Sequence, residues 1–362
     1  MKILLIGEYS NVHATLADGL RTLGHQVTVV SNGDFWKDYP RDIDVSRQPG
    51  LTGGLRLMVR LYKLLPLLRG YDIVQLINPI FFELKAERLF WFYNYLRRHN
   101  GRLFLGGFGM DHYWVHACIH EKPLRYSDFN IGDQLRTDAE ALRYRKEWLG
   151  TAKERLNRYI ADDCDGIITG LYEYDACYRL YFPEKTTYIP FPIKPSDFST
   201  QRAKKSKVVF FIGINHERSA YKGTDVMLRA AREVQQQYSH RMKLLVAESV
   251  PFAEYQQMME GSDAILDQLY SYTPSMNSLL AMSKGIIDIG GGEPENYAIL
   301  QETELRPIIN VQPNEESVRQ AMTGLILHPE QIADLKSQSV EYVRRHHDYI
   351  QIARRYLDAW TK

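Results

Sequence analysis

The sequence predicts an α/β protein of two doubly wound domains, each a parallel sheet covered by helices. Short unbroken apolar runs alternate with amphipathic stretches from residue 2, and the same alternation restarts at residue 207. Strands buried on both faces of a parallel sheet read as such runs, and the helices between them cover its two sides. A polar stretch at 196–206, carrying Ser, Thr and Lys, separates the two series. At 362 residues the chain is long enough for two cores.

The elements follow in order. MKILLIGE opens with a strand at 2–6, a turn at 7–11 and a helix at 13–23 that Gly24 and His25 close; a second strand covers 26–30. This β-α-β opening lacks GxGxxG, so no dinucleotide cofactor is indicated. A basic apolar helix at 55–68 leads into a strand at 72–77, and a strand at 103–105 delivers the glycine-rich loop 106–112. Another strand lies at 166–169, and Pro190 and Pro192 mark the end of the first domain, 1–195. The second domain, 207–340, holds a strand at 210–214, helices at 224–238 and 252–260 with a strand at 243–246 between them, and a strand at 286–289. A long helix with Tyr342, Tyr349, Tyr356 and Trp360 closes the chain. No internal repeat or low-complexity tract appears.

Composition narrows the function classes. The net charge of +1 gives no electrostatic argument for a nucleic-acid partner. Cys118, Cys164 and Cys177 have no metal-ligand spacing and, being three, cannot all pair, which points to a reducing compartment. The first apolar run is too short for a signal peptide, and no run is long enough to span a bilayer. A cytoplasmic protein is expected. The 24 tyrosines fit either polar-aromatic ligand surfaces or ordinary half-buried packing.

The chemistry concentrates in DQLYSYTPSMNSLLAMSKGIIDIGGGEPE, residues 267–295: a polar loop, a short apolar helix, a strand, then Gly290, Gly291, Gly292 and a carboxylate. A helix N-terminus beside a glycine turn, at the carboxyl end of a parallel sheet, binds phosphates through free N–H groups and the helix dipole. Upstream, FFIGINHERSAYKG puts Arg218 and Lys222 in a loop after a strand that ends near Gly213. Two cations facing such a place suit a diphosphate.

Together these segments resemble the carboxyl-terminal domain of nucleotide-sugar glycosyltransferases of the GT-B fold. The resemblance is closest to the retaining glycosyltransferases of family 4, also called glycosyl transferases group 1. Gly213, Arg218 and Lys222-Gly223 match that family's strand-Gly, Arg, Lys-Gly layout. Ala281-Met282-Ser283-Lys284-Gly285 and the strand after it match the family's Ala-Met-Ala-x-Gly, and Gly291, Gly292, Pro294 and Glu295 its Gly-Gly-x-Pro-Glu. The resemblance implies two Rossmann-like domains with a cleft between them, and a last segment, 341–362, that crosses back to the first domain. It implies sugar transfer from a nucleoside-diphosphate donor to an acceptor hydroxyl, with retention, as in bacterial polysaccharide or glycan biosynthesis. No cofactor is implied beyond the donor substrate, and no metal. Arg218 and Lys222 would stabilise the leaving diphosphate, and the amides of Ser275, Met276 and Asn277 would hold it. Gly213, Gly291, Gly292 and Glu295 complete the donor side. The acceptor would be a saccharide or a lipid-linked sugar.

One departure stands out. Tyr272 and Leu280 occupy the two positions of the family's Glu-x7-Glu motif, where one carboxylate faces the sugar and the other holds the ribose. Two alternatives therefore remain: a weak or inactive relative that binds a nucleotide or sugar as a partner protein, or a sugar-nucleotide epimerase on the same fold. Asp267 and Glu293 are the nearby carboxylates that could replace the missing one.

Other signals have two readings each. His13 opens the first helix and either faces the acceptor or serves as a capping residue. Asp111 and His112 follow a strand, where α/β proteins bind ligands. The resemblance implies that a residue here touches the transferred sugar, and the other reading is a turn. Asp163-x-Asp165 is a metal motif in another transferase fold, but here it precedes its strand and reads as turn chemistry. Residues 55–69 carry Arg56, Arg60 and Lys63 on one helical face, which suits either a packed surface helix or peripheral contact with an anionic membrane at its inner face.

Overall fold

A computed structural model describes residues 1–196, 206–248 and 250–362. The chain forms two compact units, one of Met1–Pro123, Arg143–Pro192 and Tyr349–Lys362, the other of Leu124–Leu142 and Ile193–Asp348. The expected linker 196–206 lies, apart from its two end residues, outside the described residues.

The first unit is built on a seven-stranded sheet in the order Ile43–Asp44, Gln26–Ser31, Lys2–Ile6, Ile73–Leu76, Arg102–Gly107, Gly166–Thr169, Thr186–Tyr188, with every pair parallel. Ile3, Leu4, Leu5 and Ile6 are wholly buried. Neighbours cover both faces of this central strand, which is why its sequence does not alternate. The helix expected at 55–68 runs over Gly53–Leu64 and tightens into a 3-10 turn at Leu65–Leu67. Pro66 has no N–H to continue the α ladder.

Helix Tyr349–Thr361 belongs to the first unit. Tyr356 and Trp360 are buried; Trp360 Nε1 donates to Gln75 Oε1 at 3.2 Å, and Arg102 donates to the Trp360 carbonyl at 2.6 Å. The single long helix expected at 341–360 is in fact two, Ile332–His347 and Tyr349–Thr361. Asp348 between them is non-helical (φ −54°, ψ 122°) and pairs as a β-bridge with Ile193, whose N–H donates to the His347 carbonyl at 2.7 Å. That bond takes up a carbonyl at the end of the first helix.

The second unit carries five parallel strands in the order Met242–Glu248, Val208–Ile214, Ala264–Leu266, Ile287–Gly290, Ile309–Asn310. Its core gathers Phe210, Ile212, Met227, Leu266, Ile289 and Met322. One correction concerns the domain limits: Leu124–Leu142, placed by sequence in the first domain, packs within the second unit. This strap contains a small antiparallel hairpin, Asn130–Ile131 with Gln134–Leu135.

The closing helix of the first unit rests on Gly19, where any side chain would press on the Tyr349 carbonyl and the Ala353 methyl. Gly19→Ala should therefore destabilise the protein by about 1–3 kcal/mol, the usual range for overpacking. Urea unfolding of the variant against wild type measures this.

Candidate functional site

Three loops meet at the carboxyl edge of the second sheet, each following one of three adjacent parallel strands. The first follows Val208–Ile214 and forms a one-turn helix, Ser219–Lys222. It ends at Gly223, whose φ of 74° is left-handed, a conformation glycine adopts at no steric cost. A Cβ there would also lie 2.6 Å from Leu269 Cβ and 2.8 Å from the Tyr270 ring. The Leu269 N–H donates to the Lys222 carbonyl at 3.0 Å, so the cation turn is stitched to the 267–275 loop. Arg218 is exposed, with its guanidinium 5.5 Å from the Tyr221 ring centre, and Lys222 is half-buried.

The 267–275 loop leads into helix Met276–Ser283, with Ser275 as N-cap in extended conformation. Asp267 anchors this helix start. It accepts from Ser275 Oγ, from Asn277 Nδ2 at 2.9 Å and from Ser278 Oγ at 3.0 Å. Ser278 Oγ also lies 2.9 Å from Asp288 Oδ1. One hydroxyl hydrogen serves only one acceptor well at a time, so the two carboxyls compete for it. Burial, then the charge of Asp267, pushes Asp288 well above the usual carboxylate range, which favours its neutral form.

The glycines expected on the donor side have packing roles. At Gly213 a Cβ would sit 2.8 Å from the Tyr255 hydroxyl, so this glycine admits the Tyr255 ring. Gly291 lets the Ser271 backbone approach, with a would-be Cβ 2.6 Å from the Ser271 carbonyl carbon. Gly292 donates its N–H to Asn310 Oδ1 at 3.0 Å. The structure thus brings Arg218, Lys222, Ser275, Met276, Asn277, Gly291 and Gly292 around a single loop. Leu280 is half-buried and packs with the cluster of Phe211, Ala247, Met259 and Ile265.

The strap contributes residues that the sequence reading did not single out. Arg125 pairs with Glu293 at 2.7 Å and with Glu295, and its guanidinium lies 5.0 Å from the Tyr272 ring centre. Tyr126 donates to Glu293 Oε1 at 2.7 Å, and its ring sits 4.8 Å from that of Tyr272. Asn310 and Gln312 also donate to Glu293, at 2.9 and 2.7 Å. Burial alone would raise Glu293, but the bonds from Asn310, Tyr126 and Gln312, with the Arg125 charge, outweigh it and hold its pKa below the ordinary value. Glu293 and Asp267, the two candidate replacements for a motif carboxylate, are thus both engaged by protein donors. Tyr272 is buried, its hydroxyl accepts the Arg125 N–H at 2.7 Å, and burial pushes it up to about 12. The contacts of Arg125 with Tyr272, Glu293 and Glu295 and of Arg136 with Ala220 and Tyr221 span 84 or more residues of sequence and leave no periodic trace. The Gly132-Asp133 turn was the one local signal that could have revealed the hairpin.

In the first unit, Asp111 caps helix His112–His116, accepting the Trp114 N–H at 2.9 Å and the Tyr178 hydroxyl at 2.7 Å. It is wholly buried, and burial pushes it up to about 7 against the pull of those bonds. His112 is buried, with Nδ1 3.2 Å from the Trp148 carbonyl, and burial lowers its pKa. Both residues serve the packing of this unit rather than an open surface. Asp163 accepts the Tyr93 hydroxyl at 2.7 Å, and Asp165 accepts Arg97 Nη1 at 2.6 Å and the Leu103 N–H at 2.7 Å. These carboxylates tie helix and strand ends together. Among the described residues no cluster of three His, Cys, Asp or Glu side chains could hold a metal ion.

His13 is also wholly buried. Its Nδ1 lies 2.8 Å from the Gly7 carbonyl, and its Nε2 has no hydrogen-bond partner. Beside it, Glu8 accepts the His13 and Ala14 N–H groups at 3.2 and 2.9 Å, so a carboxyl already occupies this helix N-terminus. Burial lowers His13 to about 4 and raises Glu8 to about 8. A histidine held neutral in the fold adds stability above its unfolded pKa of about 6.5, lost as pH falls towards the folded value. Glu8, raised in the fold, has the opposite slope over much of the same window, so the readout is variant against wild type: His13→Asn should gain Tm relative to wild type as pH falls from 6.5 to 4. A constant difference in Tm would show that His13 takes no part.

No family model matches the chain, and no curated protein sequence does. Solved structures do. Sucrose-phosphate synthase from Thermosynechococcus elongatus superimposes with a TM-score of 0.64 at 13% identity, over 100% of this chain and 98% of that one. HepE of Anabaena, solved with UDP and glucose, gives 0.59 at 12% identity over 100% and 99%. A TarM mutant of S. aureus, solved with fondaparinux, alpha-GlcNAc-glycerol and UDP, gives 0.56 at 10% identity over 83% of this chain; the match spans 58% of TarM's own length. At such identities the likeness is one of fold, and the fold is that of GT-B glycosyltransferases.

Proposed function

We propose that the protein moves a sugar from a nucleoside-diphosphate sugar to an acceptor hydroxyl. One observation carries this reading: the turn bearing Arg218 and Lys222 is bonded through Leu269 to the loop that leads into the Met276 helix N-terminus. That places cations and helix amides at one sheet edge, an arrangement suited to a diphosphate. The UDP in the HepE and TarM structures supports a uridine nucleotide as the first donor to try.

In the reaction the bond from C1 to the diphosphate oxygen breaks as a bond from C1 to the acceptor oxygen forms. Negative charge grows on the leaving diphosphate, where Arg218, Lys222 and the first amides of the Met276 helix would stabilise it. With retention, the departing phosphate takes the acceptor proton, so the chain need supply no general base. Metal-independent turnover fits the engagement of Asp163 and Asp165 by Tyr93, Arg97 and Leu103. The second reading, a relative that binds nucleotide without turnover, draws on Tyr272 and Leu280 at the motif positions and on the prior engagement of Asp267 and Glu293.

A saccharide or lipid-linked acceptor is proposed, reached from a membrane surface. On helix Gly53–Leu64, Leu55, Val59 and Tyr62 are exposed beside Arg56, Arg60 and Lys63, while Leu57 and Leu61 face inward. Apolar and basic side chains together at a surface suit an anionic bilayer. Val59→Glu should reduce co-sedimentation with phosphatidylglycerol vesicles, and equal sedimentation of the variant would remove the membrane from this reading.

The donor site is tested by calorimetry against UDP, GDP and ADP, followed by assays of UDP-sugar hydrolysis and transfer. Lys222→Ala should weaken diphosphate binding by roughly 1.5–3 kcal/mol, the worth of a charge-assisted hydrogen bond, or about ten- to a hundredfold. Turnover should survive EDTA. Binding without turnover favours the second reading, and no binding of any nucleotide overturns both.

A further inference from the structure

We propose that Arg136 is a positioning residue that clamps the one-turn helix between Arg218 and Lys222, and so sets the geometry of the diphosphate site. This rests on the reading of that site given above. Arg136 Nη2 donates to the Ala220 carbonyl at 2.7 Å, and Nη1 donates to the Tyr221 carbonyl at 3.1 Å. Helix Ser219–Lys222 is a single turn of four residues, and its Ala220 carbonyl accepts the Gly223 N–H at a long 3.3 Å. The guanidinium fork adds a donor to each of two adjacent carbonyls at once, which a lysine ammonium cannot do in the same geometry.

The clamp is built on three sides. The Arg136 guanidinium lies 3.8 Å from the centre of the Tyr270 ring, and the other reach of that ring is against Gly223, where a Cβ would fall 2.8 Å from Tyr270 Cε2. Arg136, Tyr270 and Gly223 thus form one stack at the end of the cation turn. Tyr221, buried within the turn, donates its hydroxyl to Asp128 of the same strap. Asp138 lies 3.1 Å from Arg136 Nη2 and balances its charge. The strap's own hairpin holds Arg136 in place, with the Arg136 N–H donating to the Phe129 carbonyl at 2.8 Å. Its side chain is only 8% exposed, so the guanidinium itself is spent on carbonyls and ring. Its effect on a diphosphate therefore passes through the turn that carries Arg218 and Lys222.

The test uses the full chain and two readouts. Hydrogen exchange in the absence of nucleotide should rise about tenfold or more at the amides of 219–223 in Arg136→Ala, because local opening sets that rate. Calorimetry should show UDP bound about tenfold more weakly, with uridine, which lacks phosphates, bound as by wild type. Adding Arg136→Ala to the double variant Arg218→Ala/Lys222→Ala should cost little further UDP affinity, since a residue that acts only through those two cations adds nothing once both are gone. Arg136→Lys should recover only part of the loss. Tyr221→Phe, which removes just the hydroxyl to Asp128, should shift both readouts the same way by less, and it serves if Arg136→Ala does not fold. Unchanged exchange at 219–223 overturns the clamp, and equal losses of UDP and uridine binding assign Arg136 a merely structural role. If wild type binds none of UDP, GDP and ADP, the reading of the site falls on its own, while the exchange measurement still judges the clamp.

Discussion

Two glycines, Gly223 and Gly291, let one loop lie against two others, and the carboxyl edge of the second sheet depends on that closeness. Gly223 admits Leu269 and Tyr270, and Gly291 admits the Ser271 backbone. Leu269 to Ser271 is thus held between the cation turn and the glycine turn, which fixes the start of the Met276 helix a few residues on. A methyl group at either glycine would have to displace backbone, the buried Leu269 side chain or the half-buried Tyr270 ring, and densely packed interiors give little room for that. Cations, helix amides and glycine turn share an edge because the chain between them cannot move away.

The same edge is rich in acids, which would ordinarily repel a phosphate. Each has been dealt with locally. Asp267 is spent on the hydroxyls and amide of the helix start, and burial favours the neutral form of Asp288. Glu293 and Glu295 are drawn onto Arg125. Buried or half-buried carboxylates are tolerable when donors engage them; for Asp267 the donors are local, and for Glu293 and Glu295 they include Arg125, with Tyr126 also on Glu293, from a segment remote in sequence.

The legible parts of the chain were those whose physics is local. Unbroken apolar runs marked the strands, and the Arg218, Lys222 and Met276 segments announced themselves by residue type and order. What could not be read was long-range. Nothing near Arg125 or Arg136 says that their partners lie at 293, 295, 220 and 221. The break at Asp348 was hidden because the helical pattern continues through it, and only the pairing with Ile193 reveals the interruption. Gly213 shows a subtler difficulty. A glycine at a strand end marks close approach, but sequence does not say of what, and here the neighbour is the Tyr255 ring. Asp111 and His112 stood at a ligand-binding position of the topology, yet a capping bond and burial account for both.

The strap has a consequence for how the chain can be assembled. The polypeptide passes from one unit to the other after Pro123, back after Leu142, over again after Pro192 and back after Asp348. Neither unit is a continuous stretch of sequence. On a ribosome the first sheet is made before the strap has anything to pack on, and Arg125 and Arg136 wait for residues 84 or more positions downstream. A fragment cut at the 196–206 stretch would leave the second sheet without its strap and the first without its closing helix. Each half therefore draws on stretches far apart in sequence, and exchanging one with another protein of this fold would require moving three separate segments for the first unit or two for the second.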